Sequence, residues 1–289
     1  KKLSARVICS SISSEHTSAY VALDLKVMPI SILSRARTLE MCSVMFNKMK
    51  NIVRAFLYWI LTYKAIKFLR KELRRERDIK VWFDFVHNFH EHLSVSKKRR
   101  SRFSIAPNQV KEEIVGLMEI VSKRRPRTVL EIGTAKGGTL FLFCRFIAAD
   151  TIIISIDLPG GPFGGGYSKW KVPLYKSFAW DKQRVILIRA DSHNPESLDT
   201  VKNILRDSKL DVLFIDGDHT YDGVKRDFEM YSPLVRGGGI VAFHDIVPGP
   251  PENVGGVPKF WSEIKCNFNY IELVKDWNQG GYGIGIIYV

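Results

Sequence analysis

The segment Val129-Leu-Glu-Ile-Gly-Thr-Ala-Lys-Gly-Gly138 constrains this chain most, because an apolar strand runs there straight into a glycine-rich turn. The glycines let the backbone turn sharply and approach a ligand where a side chain would collide. A second apolar run, Thr151-Ile-Ile-Ile-Ser-Ile-Asp157, has the continuous character of a buried strand and ends in a carboxylate 24 positions after Gly133. Strand, tight turn, helix and acid-tipped strand make the opening of an α/β sheet. Such sheets bind ligands beyond the carboxyl ends of their strands.

This pattern suits an adenosine-containing cofactor. A dinucleotide turn reads G-x-G-x-x-G, and here its second glycine is replaced by Ala135. Asp157 is placed to accept hydrogen bonds from the two hydroxyls of a ribose. Glu131 would repel a pyrophosphate but tolerate the cationic methionine end of S-adenosylmethionine, which carries no phosphate. Gly133, Thr134, Gly137 and Gly138 form the turn around that ligand. An NAD-dependent oxidoreductase is one alternative for the same turn, and a membrane-surface or scaffold protein with a vestigial cofactor site is the other.

Helical and strand patterns alternate after Pro107. A helix over Val110 to Arg124 precedes strands at 128–132, 152–156, 185–189, 212–215 and 240–243, with helices at 137–147, 195–206 and 224–231. The alternation predicts right-handed crossovers and a mostly parallel sheet covered on both faces. The chain closes with Tyr270 to Lys275 and Tyr282 to Val289, which read as an antiparallel hairpin on that sheet.

From about Asn108 to Val289 the chain resembles class I S-adenosylmethionine-dependent methyltransferases. It is most similar to the subgroup of antibiotic-sugar O-methyltransferases and cephalosporin hydroxylase-like proteins. The resemblance is carried by Leu130-Glu-Ile-Gly-Thr, Ser155-Ile-Asp-Leu-Pro-Gly-Gly161, Arg189-Ala-Asp-Ser192, Phe214-Ile-Asp-Gly-Asp-His-Thr-Tyr221 and Ala242-Phe-His-Asp245. It implies a doubly wound, mostly parallel seven-stranded sheet of Rossmann-like type with a terminal hairpin. It also implies methyl transfer to a hydroxyl oxygen of a small molecule or saccharide, and it places Asp191 and Ser192 against the adenine.

Asp216 ends one strand, and His244 with Asp245 ends the strand expected beside it. Asp216, Asp245 and His244 are therefore candidate ligands for Mg²⁺ or a similar divalent cation, which would lower the pKa of a bound hydroxyl. His219, three positions after Asp216, is the candidate base, with Asp216 sharing the catalytic role. Catechol-type enzymes resemble this arrangement at Asp216 and His219 but carry an acid and an amide where this chain has His244 and Asp245. The loop Pro159 to Tyr167, Trp170 and Trp277-Asn-Gln279 are expected to form the acceptor pocket.

Charge is divided unevenly. The net charge of +14 lies in residues 1 to 126, while the remainder is close to neutral. Residues 1 to 44 lack a strong period, 45 to 104 read as a basic amphipathic helical extension, and 105 to 289 as the catalytic domain. The uncharged stretch between Arg54 and Lys64 spans nine residues, well short of the roughly 20 needed to cross a bilayer. Residues 52 to 77 therefore suit either an anionic membrane surface, with Phe56, Leu57, Trp59, Ile60 and Leu61 in lipid, or packing as a lid or homo-oligomer helix. The run Lys97-Lys-Arg-Arg-Ser-Arg102 stands without a nucleic-acid-binding module and reads as a linker. Cys9, Cys42, Cys144 and Cys266 are too scattered for a metal cluster or disulfide framework, so a reducing, cytoplasmic setting is expected, with peripheral membrane contact as an option.

Overall fold

The computed structural model describes residues 30–73, 78–93, 101–161 and 165–289. Expectations for residues 1 to 29, for Arg74, Arg75 and Arg77, and for Lys97 to Arg100 fall outside them.

Seven strands form one sheet in the order β3-β2-β1-β4-β5-β7-β6. They are β1 (Thr128–Ile132), β2 (Ile152–Ile156), β3 (Arg184–Ile188), β4 (Leu210–Ile215), β5 (Val235–His244), β6 (Asn269–Leu273) and β7 (Ile284–Tyr288). The first five are parallel, whereas β7 lies antiparallel between β5 and β6. Side chains alternate across a strand, so these apolar runs feed two cores. Val129, Val212, Phe214 and Ala242 enter one with Leu117, Phe141 and Phe143. Leu130, Ile132, Leu213, Ile215, Val241 and Phe243 enter the other with Val201, Val224 and Trp261. Fully burying each such side chain contributes roughly 1.5–3 kcal/mol, which is why β1, β4 and the second half of β5 carry apolar residues on both faces.

The helices are α1 (Ile30–Glu72), α2 (Ile79–Asn88), α3 (Lys111–Lys123), α4 (Gly138–Phe146), α5 (Val172–Lys176), α6 (Pro195–Leu205), α7 (Tyr221–Tyr231), α8 (Pro251–Val254) and α9 (Val257–Ile264). Their starts follow from local chemistry. Asn194 caps α6 by accepting from Glu196 N, with Pro195 at a position where no amide donor is needed. Thr220 accepts from Gly223 N at the start of α7. The sequence did not announce α8 and α9, because Pro250, Pro251, Gly255 and Gly256 read as loop punctuation. Trp261 of α9 nonetheless packs directly beneath Gly285 of β7, where an added Cβ would meet the indole at 2.7 Å.

Two units divide the chain, Lys1–Ala55 and Phe56–Val289. The helix α1 begins at Ile30, inside the stretch expected to lack a pattern. In the first unit, side chains from Val44 to Ala55 are exposed. In the second, Tyr58, Leu61, Ala65, Ile66, Phe68 and Leu69 pack into the same core as Trp82, Phe85 and Phe141. The expected boundary at 104/105 thus runs through one packed unit, and this half of α1 is a helix packed on the sheet domain.

Candidate active site

β1 has β2 on one side and β4 on the other, so the strand order reverses at its carboxyl end. Crevices form at such switch points. A cavity of about 370 Å³ opens there, lined by Gly133, Thr134, Ala135, Gly138, Asp157, Asp191, Ser192, Asp216 and His219 among others. Residues from four strand ends expected on sequence grounds thus meet in one place. Glu131, Gly137, His244 and Asp245 lie outside the lining.

The turn after β1 needs glycine for a reason other than the expected ligand contact. At Gly133, φ is +96° and a Cβ would fall 1.9 Å from the Asp216 carbonyl oxygen; at Gly138 it would fall 2.2 Å from Pro107 N. The close neighbours are the protein's own backbone. Ala135 adopts φ +42°, in the left-handed region that alanine rarely occupies. Its amide donates to Asp157 Oδ2 at 2.7 Å and its carbonyl accepts from Tyr175 Oη at 3.2 Å, which holds the turn in place.

Asp157 does more than the sequence reading assigned to it. Besides Ala135, it accepts from Gly166 N at 2.7 Å through Oδ1, tying the loop after β2 to the glycine turn. Burial pushes its carboxyl pKa up, against the pull of these backbone donors. Each oxygen keeps a second lone pair, so the carboxylate still offers acceptors to the cavity. Asp191 forms an Asx turn, accepting from His193 N at 2.9 Å, while Ser192 O accepts from Tyr231 Oη at 2.7 Å.

Glu131 stands behind the wall. It is fully buried, accepts from Ser155 Oγ at 2.6 Å through Oε2, and has no partner at Oε1. Ser155 in turn meets Thr134 Oγ1. Burial, opposed by the Ser155 hydrogen bond and assisted by the Asp216 and Asp157 charges, raises the Glu131 pKa to about 8. Glu131 thus stands behind the turn as a carboxyl whose charged form burial disfavours.

At the far side, four groups converge. His219 Nε2 is 3.5 Å from Asp216 Oδ1, and its Nδ1 is 3.4 Å from Asp245 Oδ2. His244 Nδ1 lies 3.1 Å from Asp216 Oδ1 and 3.2 Å from Asp245 Oδ2. Register places them: Ile215 pairs with Phe243, so Asp216 and His244 leave adjacent strands side by side. Asp245 sits at φ +62° and accepts from Tyr282 N at 3.0 Å. Because the Asn253 carbonyl can only accept, its 2.5 Å contact makes His219 Nδ1 the donor and leaves Nε2 facing Asp216. Burial would lower the His219 pKa, but the Asp216 hydrogen bond and charge outweigh it and raise the pKa to about 9. For Asp216 the order is reversed: burial would raise its carboxyl, and the two imidazoles hold it well below the usual range.

Asp216, His219 and Asp245 each present one ligand atom within 4.8 Å of one another. Two carboxylates and an imidazole fit a divalent cation. His244, expected as the third ligand, lies beneath the carboxylates, 3% exposed, as their buried charge partner.

Sequence reasoning missed Gln109 and His193. Gln109 lines the cavity, donates to Asp216 Oδ2 at 2.8 Å and accepts from Thr139 Oγ1 at 2.9 Å, bridging the acid to the first turn of α4. It precedes a helix with no motif around it. His193 lines the cavity with Nε2 3.3 Å from the buried Asp227, and directly follows Asp191-Ser192 in sequence. The expected acceptor pocket is corrected in part. Leu158, Gly161 and Gly165 of the loop after β2 line the cavity. Trp170 instead stacks on Tyr58 at 5.0 Å, and Gln279 donates to Glu113 Oε1 and the Gly281 carbonyl. Trp277 is half exposed and away from the lining.

Residues 130–246 match a family model described as a methyltransferase domain. The match is confined to that segment. It contains the glycine turn, Asp157, Asp191, Asp216 and both histidines of the cluster. The chain is 32% identical over 162 residues to the uncharacterized protein y4gI of Sinorhizobium fredii, covering 53% of this chain and 17% of that one. To the uncharacterized protein R132 of Acanthamoeba polyphaga mimivirus it is 46% identical over 127 residues, covering 41% and 51%. It therefore spans about half or less of the curated relatives it matches. The solved O-methyltransferase from Bacillus cereus in complex with SAH is similar at 18% identity and a TM-score of 0.48, covering 73% of this chain and 100% of its own.

Proposed function

We propose that the domain transfers a methyl group from S-adenosylmethionine to a hydroxyl oxygen of a small molecule or saccharide, with a divalent cation at the Asp216 cluster. The observation that carries this reading is the single cavity wall in which the glycine turn, Asp157 and Asp191 lead to Asp216 and His219. A methyltransferase-domain match over the same residues supports it.

Asp157 offers its free lone pairs to the ribose hydroxyls while its other bonds keep the turn and loop closed around the cofactor. The acceptor hydroxyl is placed beside Asp216 and His219. A cation held by Asp216 and Asp245 would stabilise the alkoxide form of that hydroxyl, leaving the His219 Nε2 lone pair free. His219 Nε2, with Nδ1 committed to the Asn253 carbonyl, is the atom positioned to take the proton when the ring is neutral. Gln109 holds the Asp216 carboxylate in orientation, and the loop carrying Leu158 and Gly165 excludes water from the transfer.

Calorimetric titration with S-adenosylmethionine and S-adenosylhomocysteine, with and without Mg²⁺, tests the reading. Micromolar binding of either is expected, followed by methyl transfer in a screen of sugars and phenols. Failure of both ligands to bind under every condition would refute it.

A further inference from the structure

One face of α1 has an aromatic row without a packing partner in the sheet domain. Within the unit that starts at Phe56, the inward face is anchored: Tyr58 stacks on Trp170 and Phe68 on Phe85. On the opposite face, at helical spacing, Phe56, Trp59 and Tyr63 are 59%, 64% and 61% exposed. Their rings stack on one another, with centroids 6.0 and 6.4 Å apart. Lys67 and Arg70 continue the same face, and Lys64 and Lys71 flank it, all exposed. No Asp or Glu occurs between Glu40 and Glu72, and Glu72 is buried. In the first unit, the helix also exposes Met45, Met49 and Ile52.

We infer that this face of α1 docks on an anionic membrane surface. The aromatic row would sit at head-group level, where rings with one polar edge are favoured, and the lysines and arginines would meet lipid phosphates and carboxylates. Charge selects this occupant over a second copy of the chain. In parallel, two such faces would set Lys and Arg against Lys and Arg; antiparallel, they would still join two basic surfaces with no acid on either to compensate. The helix lies on the surface, since no helix among the described residues is long and apolar enough to cross a membrane. This inference is independent of the methyltransferase reading.

Sedimentation of the full chain with vesicles tests it. Strong pelleting with phosphatidylcholine vesicles containing phosphatidylserine, weak pelleting with phosphatidylcholine alone, and release as salt shortens the Debye length are expected. Each basic residue near the surface contributes about fivefold to partitioning, so Lys67→Ser with Arg70→Ser should lower it about 30-fold. Joint Phe56→Ser, Trp59→Ser and Tyr63→Ser should lower it comparably while leaving the melting temperature and S-adenosylhomocysteine affinity unchanged, because those side chains are exposed. Equal pelleting with neutral lipid, no pelleting with either, or no loss in both variants overturns the inference. So does a lipid-free dimer that the aromatic variant dissociates, which would assign the face to a second copy.

Discussion

Glu131→Gln isolates the protonation state of the carboxyl behind the turn. The folded chain holds the Glu131 proton until about pH 8, whereas an unperturbed glutamate releases it near 4.5. The sign follows from linkage: between those values the folded state binds one more proton than the unfolded state, so stability falls as pH rises. The contribution is complete below pH 4.5 and lost by about pH 8. That interval corresponds to about 5 kcal/mol as a ceiling, and roughly 2–3 kcal/mol once the site relaxes around the charge. Gln carries no charge at any pH and escapes the decline. Its amide does place donors where Oε1 has no partner, at a cost of about 1–3 kcal/mol. The variant should therefore be less stable than the parent at about pH 5, with the gap closing or reversing by about pH 8.5. Urea unfolding followed by tryptophan fluorescence across that range measures the difference directly. Parallel curves for the two proteins would show that Glu131 titrates as an ordinary carboxyl and refute the reasoning.

Gly133→Ala should destabilise the fold by about 3 kcal/mol or more, read by thermal melting, because its Cβ would meet the Asp216 carbonyl at 1.9 Å; a melting temperature within error of the parent would contradict the close approach. Asp157→Asn keeps the shape but sets an NH₂ against one of the Ala135 and Gly166 amides and removes acceptors from the cavity, so S-adenosylhomocysteine affinity should fall about 10- to 100-fold by calorimetry; unchanged affinity removes the residue from the cofactor site. His219→Ala should lower turnover about 10²- to 10⁴-fold with cofactor affinity nearly intact, and parental turnover would dismiss it as the base. Asp216→Asn should abolish Mn²⁺ binding measured by calorimetry without substrate; retained binding would place the cation elsewhere.

The strands and most helices were legible because their signals are local and periodic. Apolar runs such as Ile152–Ile156 admit only a buried strand, and caps such as Asn194 and Thr220 mark where helices begin. The acids at strand ends were legible for the same reason, since a parallel sheet delivers its carboxyl ends to one edge. Helices α8 and α9 were hidden because proline and glycine at their starts carry the same letters as a loop. At Gly133 the sequence shows that space is needed but not what fills it; the Asp216 backbone does.

From the sequence alone come the α/β alternation, the order of motifs and the residues that meet at the switch point, all set by side-chain periodicity and strand direction. Tertiary structure decided which of them face the cavity. It put Glu131 behind the wall, grouped His219 with Asp216 and Asp245, recruited Gln109 from before α3, and turned one half of α1 inward. Those outcomes depend on contacts between segments far apart in the chain, whose distances and burial no local pattern encodes.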